Sequence, residues 1–179
     1  MEHSMNTSIE HENKEAIIQD LMENYGTAIL HLVYSYVKDA ALAEDLTQEI
    51  FVKSYHHLHT YNGKSKMTTW LWRIAINHCK DHLKSWYNRK VTVSEQEQLE
   101  QTKDASTTED AVIQNHIDHE LAGAVMDLPD KYREVIYLHY YEDLSTREMA
   151  DVLKKNENTL KTRLKRARVL LKQRLGGTL

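Results

Sequence analysis

Arg73, Asn77, Lys80 and Lys84 recur at spacings of four, three and four, and Lys161, Thr162, Lys165, Arg166 and Arg168 crowd into a single stretch. On a helix the first set shares one face, and most of the second projects outward together. Arginine and lysine donate to phosphates or to guanine edges. Threonine does either, or touches a thymine methyl. The chemistry on offer is therefore hydrogen bonding to a polyanion. The alternative for each stretch is a solvated helix face that caps a bundle.

Charge placement bears on the choice without deciding it. Lys64 to Lys90 holds seven Lys/Arg against one acid, and Lys154 to Arg174 holds nine against one. The whole chain nevertheless carries a net charge of -4, which leaves -18 on the remainder. Two basic islands on an acidic chain suggest two places that meet a polyanion, or else two solvated helix faces.

Other chemistry is poorly supported. His78, Cys79 and His82 lie close in sequence, but a third and fourth ligand at fixed spacing are missing. His56, His57 and His59 fall at a helix end and face different ways. Acidic pairs are abundant, yet no pattern joins a nucleophile to a base. The sequence thus predicts no catalytic residues, no metal and no cofactor: a protein that binds rather than an enzyme. A single cysteine, Cys79, excludes an internal disulfide and fits a reducing compartment. It falls on an apolar stripe with Trp72, Ile76, Leu83 and Trp86, where a small buried hydrophobe is expected. No apolar run approaches the ~20 residues of a membrane span.

The elements that must position these residues read as helices throughout. Five glycines and one proline in 179 residues are few breakers. Ile18, Leu21, Tyr25, Ile29, Leu32, Val33 and Tyr36 mark a helix over 15–37. After the break at Lys38-Asp39, Leu42, Leu46, Ile50, Phe51, Tyr55 and Leu58 mark a second over 40–58. Asn62-Gly63 lies in a loop, and a third helix follows over 68–87. From Val91 to about Gln114 the chain is rich in Ser, Thr, Gln and Glu, which predicts a flexible linker. Helices resume near Ile117, and Pro129 opens another, with Tyr132, Val135, Ile136, Leu138 and Tyr140 on it.

The last stretch is the most explicit. Ser145 followed by Glu148 is a capping box ahead of a short helix buried through Met149, Val152 and Leu153. Asn156 can cap a longer helix buried through Leu160, Leu164, Ala167 and Leu171. A short helix, a tight turn and a long basic helix make a helix-turn-helix. The fold class is all-α: two small helical domains joined by the linker. The units are an N-terminal arm, disordered, over 1–14; a first domain over 15–90; the linker over 91–116; and a second domain over 117–179.

Four segments carry a family resemblance: AEDLTQEIFVK at Ala43 to Lys53, GKSKMTTWLWRIAINHCKDHLK at Gly63 to Lys84, LPDKYREVIYLHYYEDLSTREMA at Leu128 to Ala150, and NTLKTRLKRAR at Asn158 to Arg168. In this order and spacing the chain resembles the extracytoplasmic-function, or group 4, sigma factors of bacterial RNA polymerase, of the sigma-70 family. One departure stands out. Family members often have Gly where this chain has Asn158, and Asn tolerates the backbone angles of a turn.

The resemblance implies a transcription initiation factor with core RNA polymerase and promoter DNA as partners, acting in the cytoplasm on a stress or envelope-type regulon. The first domain would open the minus-10 element and bind the beta-prime clamp helices. The second would read the minus-35 element and rest on the beta flap tip. Asp45, Gln48, Glu49 and Phe51 fall on the clamp-binding pattern. Asn62, Lys64, Ser65 and Lys66 fall on the loop that captures a flipped minus-10 base, beside the face of Arg73, Asn77, Lys80 and Lys84. Thr159, Lys161, Thr162, Arg163, Lys165, Arg166 and Arg168 fall on the recognition helix. An anti-sigma factor, free or held at a membrane, is the further implied partner, with no insertion of this chain itself. A stand-alone helix-turn-helix repressor would explain only the C-terminal half and leave the Trp-rich basic helix without a role. An enzyme with an accessory helix-turn-helix lacks a candidate active site.

Overall fold

Runs poor in Gly and Pro, carrying apolar residues every three or four positions, fold into helices because only that geometry gathers them on one buried face. In the computed structural model the backbone is described for residues 2–93 and 114–176, and side chains for 13–89 and 120–176. Among the described residues there are seven α-helices: α1 (Glu2–Val37), α2 (Ala40–His57), α3 (Met67–Val93), α4 (Gln114–Met126), α5 (Asp130–Ile136), α6 (Thr146–Leu153) and α7 (Glu157–Arg174). A short 3-10 turn, Leu58–Thr60, follows α2, and a π-helical turn, Tyr137–Tyr141, follows α5. No strand occurs among the described residues.

Helices α1, α2 and α3 form one bundle; α4 to α7 form the second. The junction of α1 and α2 is sharp because Lys38 takes a left-handed φ of 58° and Asp39 caps α2, its carboxylate accepting from the Leu42 amide at 2.9 Å. The capping box holds as read: Ser145 Oγ accepts from the Glu148 amide, and Glu148 reaches back to the Ser145 amide at 3.0 Å. Asn156 caps α7 through the Thr159 amide at 2.8 Å.

Several expectations are corrected. The first helix is described from Glu2, ahead of the start at 15 that the apolar spacing predicts. Acidic residues there favour a helix N-terminus, and nothing in the stretch breaks it. Helix α3 runs on to Val93, past the expected boundary, since no Gly or Pro stops it. The rest of the linker, 94–113, lies outside the described residues. Asn158 does not form the turn. It sits in the first turn of α7, its carbonyl accepting from Thr162 Oγ1 at 2.8 Å, and Lys154, at φ 53°, makes the left-handed step. Trp86 is 47% exposed, because the partner helices end short of this part of α3.

The two bundles are in contact, through α1 with α5 and α3 with α6. Trp72, 2% exposed, lies edge-on to Tyr137, their ring centroids 6.5 Å apart. The Tyr137 hydroxyl donates to the Ala28 carbonyl at 2.8 Å. Burial pushes the Tyr137 phenol well above its ordinary range, with the Glu142 carboxylate adding to it. Cys79 is buried as expected, and burial pushes its thiol up to about 12.

Candidate nucleic-acid interface

The helix-turn-helix is built from α6 and α7. Leu160, Leu164, Ala167 and Leu171 turn inward against α5 and α6, and this leaves Lys161, Thr162, Lys165, Arg166 and Arg168 exposed on the outer side of α7. Thr159 and Arg163 are half-buried at the edge. Lys161 pairs with Glu157 one turn back at 3.4 Å. Arg168 is held by Tyr140: its Nε donates to the phenol oxygen at 2.6 Å, and its guanidinium lies 5.6 Å from the ring centroid. The face therefore offers cations and one hydroxyl without any carboxylate of its own beyond Glu157.

The loop ahead of α3 is braced rather than slack. Gly63 takes a positive φ of 71°, a step that favours glycine, and Asn62 Oδ1 accepts from the Lys64 amide at 3.1 Å. Tyr61 donates to the Ser65 carbonyl at 2.7 Å and packs near Trp70. Lys64 and Lys66 are exposed and Ser65 is half-buried. On α3, Asn77, Lys80 and Lys84 are exposed and Arg73 is half-buried.

Besides Lys161 and Arg168, four more of these cations have partners. Lys66 Nζ meets Glu148 Oε1 at 2.6 Å. Arg73 Nε donates to the Asp151 carbonyl at 3.1 Å. Lys80 Nζ and Arg163 Nη1 both meet Glu134, at 2.8 and 2.9 Å. Sequence reasoning missed Glu134 and its neighbour Arg133. Both are buried, in place of the outward positions that the stripe of Tyr132, Val135 and Ile136 assigns to them. The signal was two adjacent charges inside an apolar run, YREVIYL; their burial depends on α1 and α3, which are distant in sequence.

Glu148 is a carboxylate held well below its ordinary range. The Lys66 ammonium, then the Ser145 cap, hold its carboxyl down at about 2. A carboxylate with a lowered folded-state pKa stabilises the fold above its ordinary pKa, and the stabilisation is lost as pH falls from there towards the folded value. The Lys66 bridge and the cap should therefore weaken only between about pH 4.5 and about pH 2. In Lys66→Met, NMR titration of the Glu148 carboxyl should show its midpoint shifted upward. An unchanged midpoint would assign the lowering to the cap alone.

On α2, Asp45, Gln48 and Glu49 are exposed and line a shallow cleft with Val52, Lys53, His56, His57 and His78. His78 Nε2 lies 2.9 Å from Glu49 Oε2. Phe51 is not part of this face. It is 4% exposed, because its position on α2 turns it into the bundle core between α1 and α3. A second cleft, of about 520 Å³, lies between α4, α5 and α7, lined by Leu121, Val125, Ile136, Tyr140, Tyr141 and Leu171. The sequence reading did not single it out. No group of His, Cys, Asp and Glu among the described residues is placed to hold a metal ion. No helix among them is long and apolar enough to cross a membrane.

Comparison with known proteins agrees with this architecture. The Sigma-70 region 2 family matches residues 21–88, and the Sigma-70, region 4 family matches residues 118–171. The ECF RNA polymerase sigma factor SigW of Bacillus subtilis is 32% identical over 163 residues, which span 87% of each chain. The RNA polymerase sigma-H factor of Pseudomonas aeruginosa is 34% identical, over 83% of this chain and 80% of its own. Among solved structures, the sigma factor RpoE in complex with the anti-sigma factor NepR, from Bartonella quintana, superposes with a TM-score of 0.73 at 19% identity, covering 92% of this chain and 99% of that one. CnrH in complex with the cytosolic domain of CnrY superposes with a TM-score of 0.65 at 20% identity, covering 92% and 91%. With both conserved regions present in order and relatives matched along most of their length, the chain belongs to the extracytoplasmic-function sigma factors of the sigma-70 family, non-enzymatic proteins that bind core RNA polymerase and direct it to promoter DNA.

Proposed function

We propose that α7 reads the minus-35 element, that the Asn62–Lys66 loop with the α3 face captures the minus-10 element, and that the acidic face of α2 docks on the polymerase clamp. The single observation that carries the first role is the outward row of Lys161, Thr162, Lys165 and Arg166 on a capped, packed helix behind a tight turn. Such a helix enters the major groove by its N-terminal half, where side chains reach base edges. The Asn62–Lys66 loop offers cations beside a braced backbone, suited to holding a base once it has left the stack. Asp45, Gln48 and Glu49 offer an acidic patch to basic clamp residues. The cleft between α4, α5 and α7 is apolar and aromatic, which suits the beta flap tip.

In this reading residues 15–90 and 117–179 act as separate modules, each recognising a short promoter element, and their joint engagement supplies specificity. The chain works in the cytoplasm, where the polymerase is, on a stress or envelope-type regulon. An anti-sigma factor is its natural restraint; the structurally similar sigma factor RpoE was solved with such a partner.

The test uses holoenzyme on promoters substituted singly through the minus-35 element. Lys165→Ala should lose about 1–3 kcal/mol at particular base pairs. Arg168→Ala should weaken all sequences alike and reduce the salt dependence by about one phosphate. Uniform losses in both would reduce α7 to an electrostatic anchor. No loss in either would make its basic face solvated surface.

A further inference from the structure

His78 stands on α3 between Asn77, which is exposed, and Cys79, which is in the core. Its Nε2 lies 2.9 Å from Glu49 Oε2 on α2. The two side chains are unequally anchored: His78 is 18% exposed and Glu49 61%. The imidazole is the fixed partner, and it holds the carboxylate at the surface. The other oxygen, Glu49 Oε1, has no partner among the described residues. The charged and titratable groups that share this cleft from α2 are Asp45, Lys53, His56 and His57. On α3 itself, Asp81 and His82 follow about one turn on. Neither His56 nor His57 pairs with Glu49.

We propose that His78 is a positioning residue for the polymerase-binding carboxylate of Glu49, and that it makes the affinity for polymerase depend on pH. The proposal rests on the α2 docking face given above. A neutral imidazole donates Nε2–H to Oε2 and fixes the Glu49 rotamer. The carboxylate keeps its charge, and Oε1 is left for a basic group of the clamp. A glutamate already held loses less rotamer freedom on docking than a loose one. A protonated imidazole keeps the contact, but it offsets the carboxylate charge and repels the approaching cation. Histidine is the side chain whose charge ordinarily changes between pH 5 and 8. Docked polymerase disfavours the protonated ring, so docking releases a proton. By linkage, affinity rises with pH and falls as protons are added.

Three full-length variants test this by their binding to core polymerase at about pH 6 and about pH 8, with helicity checked by circular dichroism at each. His78→Gln keeps an N–H donor and does not titrate. His78→Leu removes the donor, and Glu49→Gln removes the charge that the clamp reads. Between the two pH values the parent should lose about twofold to fivefold more affinity than His78→Gln, the size of an exposed ion pair. At the higher pH, His78→Leu should bind about twofold or more weakly than His78→Gln. Glu49→Gln should bind weakly at both. Equal pH dependence in the parent and His78→Gln assigns it to other groups and overturns the proposal. Equal affinity of His78→Gln and His78→Leu at the higher pH overturns the positioning role. In either case a loss in Glu49→Gln leaves the docking face standing. If Glu49→Gln binds as tightly as the parent at both pH values, the docking face itself fails, and the role of His78 with it. If His78→Leu loses helicity, the parent and His78→Gln decide alone.

Discussion

Trp72→Ala should lower the free energy of unfolding by about 3–5 kcal/mol, among the largest losses available to a single substitution in this chain. Trp72 is 2% exposed and packs both within the first bundle and against Tyr137 of the second. Its loss leaves a cavity that close-packed neighbours fill only in part. Urea unfolding followed by circular dichroism would measure the change. Trp86, 47% exposed further along the same helix, is the comparison, and Trp86→Ala should cost less than about 1 kcal/mol. Equal losses at the two positions would mean that Trp72 does not bridge the bundles as described.

Glu49→Lys should weaken binding to core polymerase by about 2–4 kcal/mol, a factor of roughly 30 to 1,000, while the fold persists. The side chain is exposed, and within the chain it meets His78 at 2.9 Å, a surface contact whose loss costs little. At an interface with basic residues, the reversal replaces attraction by repulsion. Competition against the parent chain for core polymerase gives the number, and circular dichroism checks the fold. Phe51→Ala would be a misleading companion, because Phe51 belongs to the core and its loss would report on folding. Unchanged polymerase affinity in Glu49→Lys, with normal helicity, would remove the α2 face from the interface.

Much of the protein was legible in its sequence because the relevant physics is local. The spacing of Leu160, Leu164, Ala167 and Leu171 sets which side of α7 is buried, and so which cations face outward. Ser145, Glu148 and Asn156 satisfy amides within their own first turns, so both helix starts could be located by inspection. The family followed from four short segments in fixed order, since each preserves a local pattern of packing and charge.

Contacts between residues far apart in sequence could only be decided by the folded chain. Phe51 falls on the family's clamp-binding pattern, yet the fold packs it into the three-helix core at 4% exposure. Lys66, Arg73, Lys80 and Arg163 read as open cations, yet each finds a partner that packing brings to it from elsewhere in the chain. Glu134 shows the difference most clearly. In sequence it is a charge that interrupts an apolar run. In the fold it gathers a phenol, an ammonium and a guanidinium from three helices. Local spacing fixes where a side chain points on its own helix, but the identity of the group it meets depends on how whole helices pack, and burial then turns a weak surface charge into a strongly committed one.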